Sequence, residues 1–410
     1  MISFAEALSL VLNNTRPGQA IELNLAQAGN SRLAEPIAAG EDLPCYNRSP
    51  LDGYALIAAD LKEADEYTPV NLRIKNLEFT KGQLHRGEAV KVMTGMPIPP
   101  GSDCVVRQEH TNSSNDTVKV MRRLYSGENV IYIGEDVQKG TPLFKVGDLL
   151  TPPRIGLLAA LGHAKVMVMV PPKVAVLSTG NDLVGINQHV TKGYTRDANS
   201  YMLQALIKEY SGLPVMAGIA GDDFNLLTER LEQCLEMADL ILTSGGISVG
   251  ENDLLPKALE KIGAKVLFKK VAMKPGTPMI AAKKRDKLIL ALSGNPGACL
   301  VSFEQLAGPA LMKMQGAERC TLPQTFGRLG AAVNVRPGKQ LKFLRSHCYV
   351  SADHRLTATP LDNQRPGSLF SFSSYNCYII LDEETDQADR GGEVMLQFVR
   401  RSGFFELSGI

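Results

Sequence analysis

Between residues 173 and 314 the chain alternates short apolar runs with stretches whose apolar residues recur at helical spacing. The runs are KVAVLSTG, PVMAGIAGDD, ADLILTSGG and KLILALSGNPG, and the helical stretches fall near 199–210, 224–236, 254–262 and 297–314. Strands separated by helices of this length predict βαβ crossovers and a parallel sheet covered on both faces. From about 40 to 140 the period shortens to two. There YALIAAD, VNLRIKNLEF, EAVKVMTG, CVVRQEHT and TVKVMRRL read as short strands divided by turns rich in Gly, Pro, Asn and Ser, predicting a β-rich domain. A helix over about 3–14 and another in RIGLLAALG flank that domain, and after about 318 FGRLGAAVNVR, KFLRSHCYV, RLTATPL, CYIILDE and VMLQFV predict a C-terminal β domain. With Pro171-Pro172 as a boundary, the expected division is 1–39 plus 140–170 as a split N-terminal domain, 40–139 as the β-rich domain, 171–316 as the α/β domain and 317–410 as the C-terminal domain.

A chain of 410 residues exceeds what one hydrophobic core serves, which agrees with several domains. Its 44 Lys plus Arg and 43 Asp plus Glu are interspersed, so neither a nucleic-acid footprint nor an acidic tail is visible. The seven cysteines (45, 104, 234, 299, 320, 348, 377) form no CxxC pair, arguing against a zinc site and for a reducing compartment. No apolar run approaches membrane-spanning length, and Met1 opens a helical pattern without a basic leader, so the expectation is a cytoplasmic protein without membrane contact.

The densest chemistry lies in TSGGISVGEND, residues 243–253, where glycines and hydroxyls follow an apolar strand. Glycine lets backbone N–H groups approach an anion closely, and Thr243, Ser244 and Ser248 add uncharged donors beside Gly245 and Gly246. A similar loop, LSGNPGA, holds Gly294, Asn295 and Pro296 and leads into a helix. Each loop alone is compatible with an ordinary tight turn. Two of them after strands of one sheet would converge at its carboxyl edge, where open α/β sheets bind ligands. Asn181-Asp182, Asp222-Asp223 and Asp253 cap strand ends at the same edge. Singly each suits a helix N-cap, and together they suit a divalent cation bridging carboxylates to an anionic ligand. Lys274 in MKPGTP could supply counter-charge, or be a solvated turn lysine. In the β-rich part, Asp52 in SPLDGYAL, Thr94 in VMTGMP and Asp136 in GED sit at turns, where serving their own backbone is the competing role.

In order along the chain, LDGYA, VMTGMPIPPGSD, GED, STGNDL, DAN, GDD, SGGISVGEND, MKPGTP, SGNPGA and FSSYNCY resemble the molybdopterin molybdenumtransferases, the MoeA family that includes the gephyrin E domain. The resemblance implies an elongated homodimer of four-domain subunits: a split first domain, a β-rich insertion, a molybdopterin-binding α/β domain and a C-terminal β-barrel. It implies a site shared between the α/β domain of one subunit and the β-rich domain of the other. Its reaction inserts molybdate into adenylylated molybdopterin with Mg²⁺-dependent release of AMP. Transient contact with other proteins of molybdenum cofactor biosynthesis also follows from the family. By resemblance, Asp52, Thr94, Asp136, Asp182, Asp222, Asp253, Lys274, Arg345 and Ser368 occupy functional positions, with Asp222, Asp253 and Asp52 around the cation.

Departures from the family pattern are concentrated in charge. A second lysine is replaced by Thr277, basic residues before GED by Tyr132 and Ile133, a basic residue before the Asp pair by Gly221, a proline by Ser293, and the acidic pair after STG by Asn181-Asp182. Arg48, Arg107 and Arg365 stand where the family is usually uncharged. Two readings follow: an active transferase in which these arginines compensate, or a weakened paralogue that binds a pterin nucleotide without inserting metal.

Overall fold

The computed structural model of the chain describes residues 1–76, 82–247, 254–336 and 338–399. Two N-terminal segments share one core. Leu25, Leu33 and Ile37 pack with Leu150, Leu158, Val166 and Val168, and the strand Ala20–Asn24 pairs antiparallel with Lys165–Met169. Helix α1 (Phe4–Asn13) is capped by Ser3, whose hydroxyl accepts from the Glu6 N–H. It does not join this core: its Ala7 and Val11 pack into the α/β unit. Helix α2 (Pro152–Ala160) starts at a proline, where the missing N–H costs nothing.

Residues between these segments build a six-stranded sheet with cores of its own, around Leu56, Leu72, Val106 and Val118 on one side and Val90, Val92 and Val105 on the other. Among the described residues no hydrogen bond links this β-rich unit to the α/β unit. The fold therefore places Asp52 and Thr94 on a body whose packing is independent of the sheet that carries the glycine loops.

The α/β unit is built on a six-stranded sheet in the order Leu213–Ile219, Lys173–Ser178, Leu240–Ser244, Lys287–Leu292, Pro278–Lys284, Lys265–Lys270. Four of these strands are parallel, as the alternation of strands and helices predicts. The expectation of a wholly parallel sheet is corrected at the far edge, where Pro278–Lys284 runs antiparallel to both neighbours. Only Arg285 and Asp286 separate it from the next strand, with Arg285 at φ 53°. Two residues make a hairpin, whereas a parallel neighbour needs a crossover.

Helices α3 (Ala198–Glu209), α4 (Phe224–Met237) and α5 (Leu254–Lys261) follow in the chain, then α6 (Pro296–Ser302) and α7 (Gly308–Met314), joined by a π-helical turn over Phe303–Ala307. The central strands read as unbroken apolar runs because both faces are covered. Val174, Val176, Leu240 and Leu242 face the core with α3, α6 and α7, while Ala175, Leu177 and Ile241 face α4 and α5.

At the C-terminus five strands close a barrel: Leu341–Val350 pairs with Leu356–Pro360, then Gln324–Leu329, Glu393–Phe398, Cys377–Leu381 and back to Leu341–Val350. The two-residue strand Met273–Lys274 extends from the α/β unit and adds in parallel to Leu341–Val350. Glu304, 1% exposed on the π-helical turn, accepts hydrogen bonds from the hydroxyls of Tyr375 and Tyr378 in the C-terminal domain. The barrel is thus fixed to the helix that starts at SGNPGA. No described helix is long and apolar enough to cross a membrane.

Candidate functional site

Three strand ends meet at the carboxyl edge of the sheet. The Gly245 N–H donates to Leu292 O at 3.1 Å and the Thr179 N–H donates to Ser244 O at 2.9 Å, so the STG, SGG and SGNPG loops are joined through backbone. Asn199, on the first turn of α3, ties two of them again: its Nδ2 donates to Ser244 Oγ at 2.7 Å and to Gly294 O at 2.9 Å. Asp197 caps the same helix through the Ser200 N–H at 3.1 Å and accepts from Ser178 Oγ at 2.7 Å. Neither Asn199 nor Asp197 was among the site residues expected from sequence. Their sole signal was the DAN string, and the spacing of α3 from the glycine loops hides the contact.

Gly246 has φ 68°, and a Cβ there would lie 2.7 Å from Thr179 Oγ1. Glycine is therefore required by the packing of the STG loop as well as by any ligand. Gly294 is different, since a Cβ there would meet Gly245 Cα at an ordinary 3.5 Å. Two of the expected hydroxyl donors lie on the buried side of the loop. Thr243 is fully buried, and Ser244 is 3% exposed with its hydroxyl held by Asn199. Ser248 and Asp253 lie outside the described residues.

At the neighbouring strand end, Asn181 Oδ1 accepts from the Asp222 N–H at 2.8 Å, and the Asn181 N–H lies 3.4 Å from Asp222 Oδ2. Gly221 has φ 50° and a Cβ there would stand 2.9 Å from Asn181 Oδ1. The two departures at 181 and 221 thus form one contact: the amide fills the space a side chain at 221 would need. Asp182 follows on the same turn, so carboxylates of Asp182 and Asp222 belong to adjoining loops. With Asp253 undescribed, the trio Asp222, Asp253 and Asp52 is not described as a set, and no group of three metal-ligating residues occurs among the described residues.

Two further expected residues come from the C-terminal domain. Arg345 is 1% exposed, its guanidinium stacked 4.1 Å over the Phe372 ring, with Nη2 donating to the carbonyls of Asn363 at 3.3 Å and Arg365 at 3.5 Å. A Cβ at Gly297 would meet Arg345 Nη1 at 2.5 Å, so the guanidinium lies directly behind the first turn of α6. Arg345 thus backs the helix turn that follows Asn295 and is itself shielded from solvent. Ser368 closes a turn whose N–H donates to Arg365 O at 3.2 Å. Lys274 is exposed on the strand that joins the barrel. Thr277 accepts from Gln340 Nε2 at 2.8 Å and donates to Met273 O at 2.7 Å, which fixes it in the junction between domains.

The β-rich unit carries the remaining group. Asp52 Oδ1 accepts from both the N–H and the hydroxyl of Thr94, at 2.8 and 2.9 Å. The backbone bond first, then the hydroxyl bond, holds the carboxyl below its ordinary pKa by stabilising the anion. Arg48 bridges to Pro97 on one side and Ile131 on the other, and Arg107 pairs with Gly53. The backbone of both arginines thus belongs to the same unit as the Asp52–Thr94 pair. Asp136 is exposed at the end of the same 131–136 strip, where the Tyr132 N–H donates to Glu135 Oε2 at 2.8 Å. Glu135 serves its own turn.

Three family models match consecutive parts of the chain: the MoeA N-terminal region (domains I and II) over residues 2–162, a probable molybdopterin binding domain over 175–313, and the MoeA C-terminal region (domain IV) over 328–398. The molybdopterin molybdenumtransferase of Bacillus subtilis is 35% identical over 75% of this chain and 73% of its own length, and that of Staphylococcus aureus is 34% identical over 77% and 76%. A solved molybdopterin biosynthesis MoeA protein from Pyrococcus horikoshii superposes with TM-score 0.83 at 28% identity, covering 97% of this chain and all of that one. The fold and site define a multidomain protein with joined glycine loops at an α/β sheet edge and an appended β-barrel. The family models and relatives fix the class further, and the chain belongs to the MoeA family.

Proposed function

We propose that the protein is a molybdopterin molybdenumtransferase acting in molybdenum cofactor biosynthesis, with molybdate and adenylylated molybdopterin as substrates. The observation that carries this reading is the joining of the SGG and SGNPG loops by Asn199, whose amide donates to Ser244 Oγ and Gly294 O and so holds the two glycine loops side by side at the sheet edge. Such a cradle suits the phosphate of a pterin nucleotide. Exposed Lys274 would add charge for an oxyanion. Of the carboxylates expected around the cation, Asp222, Asp253 and Asp52, the first offers a hard oxygen donor suited to Mg²⁺ at the sheet edge, next to the Asp182 loop. Bound there, the cation would neutralise the departing adenylate phosphate. Asn181 holds the Asp222 backbone, and Thr94 keeps the Asp52 carboxyl ionised.

A homodimer gives Asp52 and Thr94 a role, because their domain is packed independently of the α/β cleft within one chain. A second copy would bring this pair, with Arg48 and Arg107, to the cleft. Light scattering should then give about twice the 44.4 kDa chain mass. The reaction itself is tested by complementing a bacterial strain that lacks its own molybdenumtransferase, scored by nitrate reductase activity. Restored activity supports the transferase. No restoration by a stably expressed protein that still binds the pterin nucleotide would favour the second reading, a binder without metal insertion, which the engagement of Thr277 in a structural junction makes worth separating.

A further inference from the structure

This inference rests on the phosphate-cradle reading above and names a residue that completes it. The segment 363–368, NQRPGS, runs from the barrel to the start of α6, and every part of it is tied down. The Gly297 N–H donates to Pro366 O at 2.7 Å, which docks the segment on the first turn of the helix after SGNPG. A Cβ at Gly367 would lie 4.0 Å from Asn295 Oδ1, so the segment also borders the loop itself. The Arg365 N–H donates to Asn363 Oδ1 at 3.0 Å, and the Ser368 N–H to Arg365 O at 3.2 Å. Beneath, the buried Arg345 holds the carbonyls of Asn363 and Arg365. Its Nε and Nη1 have no hydrogen-bond partner among the described residues. Burying a guanidinium is costly, and the two carbonyls and the Phe372 ring offset part of that cost.

Arg365 is the one cation on this turn. It is exposed, and no hydrogen bond or ion pair of its guanidinium occurs among the described residues. We propose that Arg365 is an anion-binding residue of this protein, on the Arg345-supported turn that borders Asn295. Arg345 is then a positioning residue, acting through the turn.

The test uses the full-length protein with AMP and with inorganic pyrophosphate as separate probes, titrated calorimetrically at low and high salt. Arg365→Gln should weaken pyrophosphate binding by about tenfold or more and flatten its salt dependence, because one charge-assisted contact is lost. Arg365→Lys should recover most of the affinity. Arg345→Met should weaken binding as well, with the Gly297 N–H losing hydrogen-exchange protection, a change that Arg365→Gln should not produce. Unaltered affinity and salt slope in a folded Arg365→Gln protein would overturn the assignment while leaving the cradle intact. A native protein that binds neither probe nor adenylylated molybdopterin would overturn the cradle reading and this inference with it.

Discussion

Asn199 is where a small change should tell most about the site. Its amide donates to Ser244 Oγ and Gly294 O in a position 8% exposed. Replacing it by alanine removes two buried bonds, each worth about 0.5–1.5 kcal/mol net, and leaves Gly294 O unpaired. One term runs the other way. Asn199 Oδ1 is itself buried without a hydrogen-bond partner among the described residues, so deleting it removes a penalty of about 1 kcal/mol. The balance is a loss of about 1–2 kcal/mol confined to the loop junction. Asn199→Asp should cost more than alanine, since it sets an oxygen against Gly294 O and buries a charge. Because a chain of several domains does not unfold in one step, the assay is native-state hydrogen exchange at the Gly245 N–H, which is bonded to Leu292 O. Its protection should fall about 5- to 30-fold in Asn199→Ala and further in Asn199→Asp. Unchanged protection, or an aspartate milder than the alanine, would refute the claim that this amide binds the two loops together.

The two glycine loops should respond unequally to a methyl group: Gly246→Ala, at φ 68° and against Thr179 Oγ1, should destabilise by about 2 kcal/mol or more, whereas Gly294→Ala should fold normally and reveal its effect in nucleotide binding. Equal thermal shifts for both would count against the packing argument. For Asp52, Thr94→Val keeps the backbone donor and removes the hydroxyl, so the carboxyl pKa should rise part of the way to its ordinary value in an NMR titration. Since the folded value is the lower one, the stabilisation is present above the ordinary carboxylate range and is lost as pH falls through the folded value. A pKa unmoved by the substitution would show that the hydroxyl contributes nothing. Thiol labelling of the native protein near pH 8 should modify exposed Cys45 rapidly, while burial pushes the Cys234 and Cys299 thiols up to about 11 and about 12 and protects them. Rapid labelling of Cys299 would contradict its burial on the helix that follows SGNPG.

Periodicity alone determined the four parallel strands of the α/β unit and the helices between them, because strands covered on both faces are apolar throughout and the helices carry a stripe. Val174 to Leu177 divides its side chains between the two cores, as an unbroken run must. The glycine loops were legible for the same reason, since Gly245 and Gly246 answer a local backbone demand. The direction of Pro278–Lys284 was not, because a two-residue turn at Arg285-Asp286 reverses a strand without altering its composition. The roles of Asn199 and Arg345 required the tertiary structure. A polar side chain is read from its own neighbours in sequence, yet these two act on Gly294 and Gly297, 95 and 48 positions away. The same holds for Thr277 and Asn181, whose chemistry is set by Gln340 and Asp222. Local sequence fixes what a segment can be, while distant packing decides which of its polar groups remain free for a ligand.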